Sequence, residues 1–61
     1  MPTGVFEITD IPADKVETVI ADFNLDDPPP AIAKTDQGGG VLWTVTATYP
    51  GPGRQKKKFD G

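Results

Sequence analysis

Two hydrophobic periods run along this chain, and they divide it into elements. In "TGVFEIT", Phe6 and Ile8 share one parity and Val5 and Glu7 the other, the period of two that a short first strand requires. The spacing then lengthens. Val16, Val19, Ile20 and Phe23 stand at i, i+3, i+4 and i+7, a single apolar stripe on a helix over about residues 12 to 24. Pro12 suits the first turn, where its missing N–H is harmless, and Asp14 and Glu17 lie near the positive end of the helix dipole. "DDPPP" at 26 to 30 ends the helix, because each proline removes a donor and holds its predecessor in extended geometry.

A second strand is expected from Ala31 to Asp36, then a reversal at "QGGG", where glycine enters positive φ without steric cost. The third strand, "VLWTVTATY", is rich in β-formers and is stopped by Pro50. The result is β-α-β-β, an α+β domain with a three-stranded sheet and one helix on one face. A right-handed crossover sets the first strand either beside the second and parallel to it, or beside the third and antiparallel. The length and composition of the third strand favour it for the centre, giving order 1-3-2.

Alternation assigns the faces of that central strand. Val41, Trp43, Val45, Ala47 and Tyr49 point toward the helix and, with Phe6 and Ile8, form the expected core. Leu42, Thr44, Thr46 and Thr48 point the other way, with Val5 and Ala31 or Ala33 around them. A threonine-rich face of this kind either meets water, as one-sided antiparallel sheets do, or meets a partner.

Size decides between these. A domain of about 60 residues buries only about 60% of its unfolded surface, and such domains add disulfides, a metal or self-association. Cysteine is absent, as are histidine and serine. Their absence removes disulfides, the Ser–His and Cys–His nucleophile pairs, the imidazole proton shuttle and the usual zinc site. No cofactor, no metal and no catalysis are expected, and self-association through Leu42, Thr44, Thr46, Thr48 and Val5, or through a strand edge, is the favoured use of the sheet.

Charge divides the chain differently. Residues 1 to 53 carry eight acids against two bases, and residues 54 to 61 four bases against one acid, so an acidic domain (1 to 50) precedes a basic tail (51 to 61). With Pro50 to Gly53 breaking regular structure, the tail is expected to be flexible and disordered. Arg54, Lys56, Lys57 and Lys58 could meet acidic groups on a protein partner or phosphates on nucleic acid, with Phe59 stacking on a base. Four cations fall short of the roughly six to ten phosphate contacts of strong binders, so a solubilising tail, resting on the chain's own acidic helix, ranks first, a protein partner second and nucleic acid third. No apolar run approaches the roughly 18 residues of a membrane span. The start of the chain lacks a signal peptide's basic and apolar regions, so a cytoplasmic location without membrane contact is expected.

Three motifs fail on inspection. "DFNLDD" opens like a calcium loop, but Asp27 stands where the turn needs glycine and Ala33 where a bidentate glutamate belongs. "QGGG" joins two strands and opens no helix, so it is a turn and not a phosphate cradle. "PPP" lacks the wider frame of a polyproline ligand.

Pro2 would become a secondary amine and a possible base if Met1 were removed. With about 60 residues, a leading strand and "VETVI" in a helix, this resembles the 4-oxalocrotonate tautomerase family, small oligomeric enzymes with an N-terminal catalytic proline. The resemblance covers about the first 25 residues. It departs where that chemistry needs arginines for a substrate carboxylate, since Arg54 is the sole arginine and Asp10 and Ile11 occupy the loop that wants a cation. The prolines at 28 to 30 also shorten the helix. The leading expectation is therefore a non-catalytic interaction or assembly module that binds itself or another protein. Weak nucleic-acid binding by the tail is the alternative, and a Pro2-based tautomerase is the third.

Overall fold

The structure, a computed structural model, describes residues 2–60. Strand β1 (Gly4–Pro12) leads through a 3-10 turn (Ala13–Lys15) into helix α1 (Val16–Phe23), followed by β2 (Ala31–Asp36), β3 (Leu42–Tyr49) and β4 (Arg54–Lys58). The strands form one mixed sheet in the order β2-β3-β1-β4. β3 runs antiparallel to both β1 and β2, and β4 runs parallel to β1.

The fourth strand corrects the expectation of a three-stranded sheet with a disordered basic tail. "RQKKK" shows no apolar alternation and so reads as a solvated charge run. An edge strand, however, needs only a backbone partner, and lysine is a residue that exposed edges tolerate. β1 supplies the partner. The Val5 N–H donates to the Gly53 carbonyl at 2.9 Å, and the Phe59 N–H donates to the Thr9 carbonyl at 2.8 Å, one anchor at each end of β4. Among the other three strands the order is 1-3-2, with β3 between β1 and β2.

Residues 50–53 carry the chain from β3 past the start of β1 to reach β4. That passage brings two glycines together. Gly4 has φ +84°, and a Cβ built on it would lie 2.1 Å from the Gly53 carbonyl oxygen. The Thr3 hydroxyl donates to the Pro52 carbonyl at 3.0 Å.

β1 is longer than expected because its alternation is reset midway. Asp10 sits at φ +60° and the pairing with β3 shifts between Ile8 and Ile11. Two residues separated by three would ordinarily face opposite sides of a strand, but this bulge returns Ile11 to the helix face. Pro12 accordingly ends β1 instead of starting the helix, and α1 begins at Val16.

Ile11, Val16, Val19, Val45, Ala47 and Tyr49 are buried, with Ile8, Ile20, Phe23, Ile32, Trp43 and Phe59 half-buried around the central cluster. The expected stripe and strand parity thus meet, with one exception. Val41 precedes β3 and is 68% exposed, contributing only a carbonyl that accepts the Ala13 N–H at 3.0 Å. The Trp43 indole N–H donates to the Gly40 carbonyl at 3.3 Å, which satisfies its buried edge. An eight-residue helix is about 12 Å long, whereas four strands span about 19 Å. As the one short helix on its face, α1 leaves part of that face open, and no other helix or sheet among the described residues covers the opposite one.

Candidate functional site

The bare face follows from register. Thr46 of β3 stands between Glu7 of β1 and Ala33 of β2, Thr48 between Val5 and Ala31, and Thr44 beside Thr35. Leu42 lies at the end of the row beside Pro12. On the other side of β1, Arg54 is opposite Val5, Lys56 opposite Glu7 and Lys58 opposite Thr9. Leu42, Thr44, Thr46, Thr48 and Val5 therefore lie on one surface with both Ala31 and Ala33, of which the sequence suggested one or the other, and the structure adds Thr35, which shares their parity on β2. That parity was readable once the strand was placed. Across β2 and β3 the surface is built mainly of small side chains, with Thr48 exposed and Thr44, Thr46 and Val5 half-buried among their neighbours; Glu7 of β1 shares it beside Thr46.

One margin of this face is ionic. Arg54 and Lys56 approach the Glu7 carboxylate at 3.9 and 3.7 Å, and Lys58 approaches Asp10 at 3.9 Å. The same Asp10 is clasped by Gln37. The Gln37 side-chain oxygen accepts the Asp10 N–H at 2.7 Å and the Thr44 hydroxyl at 3.0 Å, while its amide nitrogen donates to the Asp10 carboxylate at 2.9 Å. This cluster fixes the bulge and ties β1 to the loop after β2. Sequence reading had singled out neither Gln37 nor the partners of the cations.

The tail residues do not form one patch. Arg54, Lys56 and Lys58 share the bare face, whereas Lys57 takes the opposite parity, beside Ile8 on the helix face. Phe59, expected to be free for stacking, is half-buried against the core. The reason is geometric: a strand alternates its side chains, and the residue following it turns under the helix.

On the helix face the strip between α1 and β4 holds two adjoining depressions. One, of 190 Å³, is floored by Phe6, Ile8 and Phe23; the other, of 410 Å³, by Ile8, Val19, Phe23 and Phe59, with Asp22 and Asp60 at its rim. Lys57 borders both. On the β2 side a shallower hollow adjoins Lys34, which is 3.6 Å from Glu17 and 5.9 Å from the centre of the Trp43 ring.

At the opposite end of the sheet the Tyr49 hydroxyl donates to the Asp26 carboxylate, and its ring meets Phe6 edge-on at 5.4 Å. Burial pushes the Tyr49 pKa up to about 12, aided by the hydrogen bond and the negative charge of Asp26. This contact holds the loop after α1 against β3.

Pro2 is exposed and borders none of these three depressions. Arg54, the sole arginine, is engaged with Glu7 on the bare face. Among the described residues no cluster of three or more acids could hold a metal ion, and no helix is long and apolar enough to cross a membrane. No protein family, curated protein or solved structure matches this chain.

Proposed function

We propose that this chain is a non-catalytic assembly module whose bare sheet face receives a second copy of itself. The observation that carries this reading is the face itself: four strands wide and without a covering layer, with Leu42, Thr44, Thr46, Thr48, Val5, Ala31, Ala33 and Thr35 across β2, β3 and the start of β1, and Glu7, Arg54, Lys56 and Lys58 toward the β4 margin. Small side chains let two sheets approach to the usual separation of about 10 Å. A two-fold axis parallel to the strands sets β4 of each copy over β2 of the other, which keeps the two cation rows at opposite margins.

The dimensions fix the expected strength. About 19 Å of width and about seven residues of length give a footprint of roughly 400–450 Å² per copy in projection. Standard interfaces bury about 800 Å² of accessible surface per partner. The association is accordingly weak and dependent on concentration. Because its centre is the threonine row of β3, with Glu7 of β1 the one charge beside it and the cations at the margin, it survives salt that screens the ionic margin.

Sedimentation equilibrium over a broad concentration range, at low and high salt, tests this. A dimer that persists in high salt and is abolished by Thr46→Arg, with the far-ultraviolet circular dichroism of the fold retained, supports the reading. A monomer at every concentration overturns it.

A further inference from the structure

We infer that the outer edge of β4 is a strand-addition site for an extended segment of another protein in which acidic and apolar side chains alternate. Three features of one strand converge on this occupant.

The first is the backbone. In the parallel ladder the groups of Gln55 and Lys57 face β1, as the flanking bonds from Val5 to Gly53 and from Phe59 to Thr9 require. The N–H and C=O of Arg54, Lys56 and Lys58 then point away from the sheet, an open row ready for another strand.

The second is charge. Those same three residues project their cations onto the bare face, with side chains 72%, 67% and 83% exposed. A second β4 laid along this edge would set cation against cation, so the edge rejects its own copy. Acids at alternate positions of an incoming strand meet Arg54, Lys56 and Lys58 across the ladder.

The third is the opposite face. There the intervening positions of an incoming strand lie beside Gln55 and Lys57, over the strip floored by Phe6, Ile8, Phe23 and Phe59. Acids on that side would also confront Asp22 and Asp60 at the rim, so apolar side chains are selected.

The molecule contains its own precedent. β1 presents Glu7 to Arg54 and Lys56 on one face and Phe6 and Ile8 to the helix on the other. An added strand repeats on the outer edge of β4 what β1 does on the inner one. The cations of this edge border the bare face, but the backbone row that takes the new strand points away from the sheet, so amide protection at Arg54, Lys56 and Lys58 and the sedimentation of the dimer are read separately.

The probe is a short synthetic peptide alternating glutamate and valine, added to the full chain at low salt. Amide hydrogen exchange is read residue by residue. The expected result is new protection at the N–H groups of Arg54, Lys56 and Lys58, with Gln55 and Lys57 protected before and after addition. Methylating the peptide nitrogens that face β4 should weaken binding by about tenfold or more, since it removes ladder bonds without altering side chains. Equal binding by the methylated peptide, or equal binding by a glutamate peptide without valine, overturns the proposal. So does new protection that appears on β2, the other open edge of the sheet, in place of β4.

Discussion

Replacing Gly4 by alanine tests whether the close passage of residues 50–53 holds β4 in place. The added methyl carbon would lie 2.1 Å from the Gly53 carbonyl oxygen and within 2.8 Å of the Gly53 Cα, so backbone must move. Positive φ costs a residue with a side chain about 1–2 kcal/mol. Displacing Gly53 also removes the bond from the Val5 N–H, worth about 0.5–1.5 kcal/mol. Together these give about 1.5–3.5 kcal/mol, against a total of about 3–9 kcal/mol for a domain of this length.

Gly39 supplies the comparison. Its φ is +75°, and a methyl carbon there meets nothing within 4 Å, so Gly39→Ala carries only the conformational cost of about 1–2 kcal/mol. Urea unfolding followed by the fluorescence of Trp43, the sole tryptophan, measures both. Hydrogen exchange adds the local reading. Gly4→Ala should expose the Gln55 and Lys57 amides, and Gly39→Ala should leave them protected. If the two variants lose equal stability and both keep those amides protected, the passage does not hold β4 and the reasoning is wrong.

Ile11 is fully buried, so Ile11→Ala should cost about 2–5 kcal/mol and leave much of the population unfolded in thermal melts; a loss below about 1 kcal/mol would mean the bulge does not place it in the core. Tyr49 should make stability fall as pH rises from about 10 to about 12, because the unfolded chain loses the phenolic proton first; Tyr49→Phe should flatten that decline in pH-dependent unfolding. The exposed pairs from Glu7 to Arg54 and Lys56 should contribute little, and Lys56→Gln should change stability by no more than about 1 kcal/mol in urea titrations.

What the sequence disclosed depended on which physical cause shapes each element. The helix stripe and the parity of β3 come from burial of side chains, and both are visible as periods in Val16, Val19, Val45 and Ala47. The bulge in β1 was hidden, because Ile8 and Ile11 stand three apart and that spacing ends a simple strand. Its cause lies in Asp10 and in Gln37, which is distant in sequence. β4 was hidden for a different reason. Its pairing is made by backbone, and its side chains record the requirements of an edge, not of a core. The traces it did leave were Gly4 and Gly53, needed for the close passage, and Phe59, an apolar residue placed just after a run of lysines. The threonine row was assigned to the correct face, but its extent required β2's register and the ionic margin required β4.

The parallel pairing of β1 and β4 has a mechanical consequence. Because the two strands run the same way, the start of β1 and the end of β4 lie at opposite ends of their shared ladder. A tension drawn between those two points runs along the strands, so the bonds joining them are sheared together and are not peeled apart in turn. The short run of lysines in β4 thereby makes the sheet resist stretching along its own length.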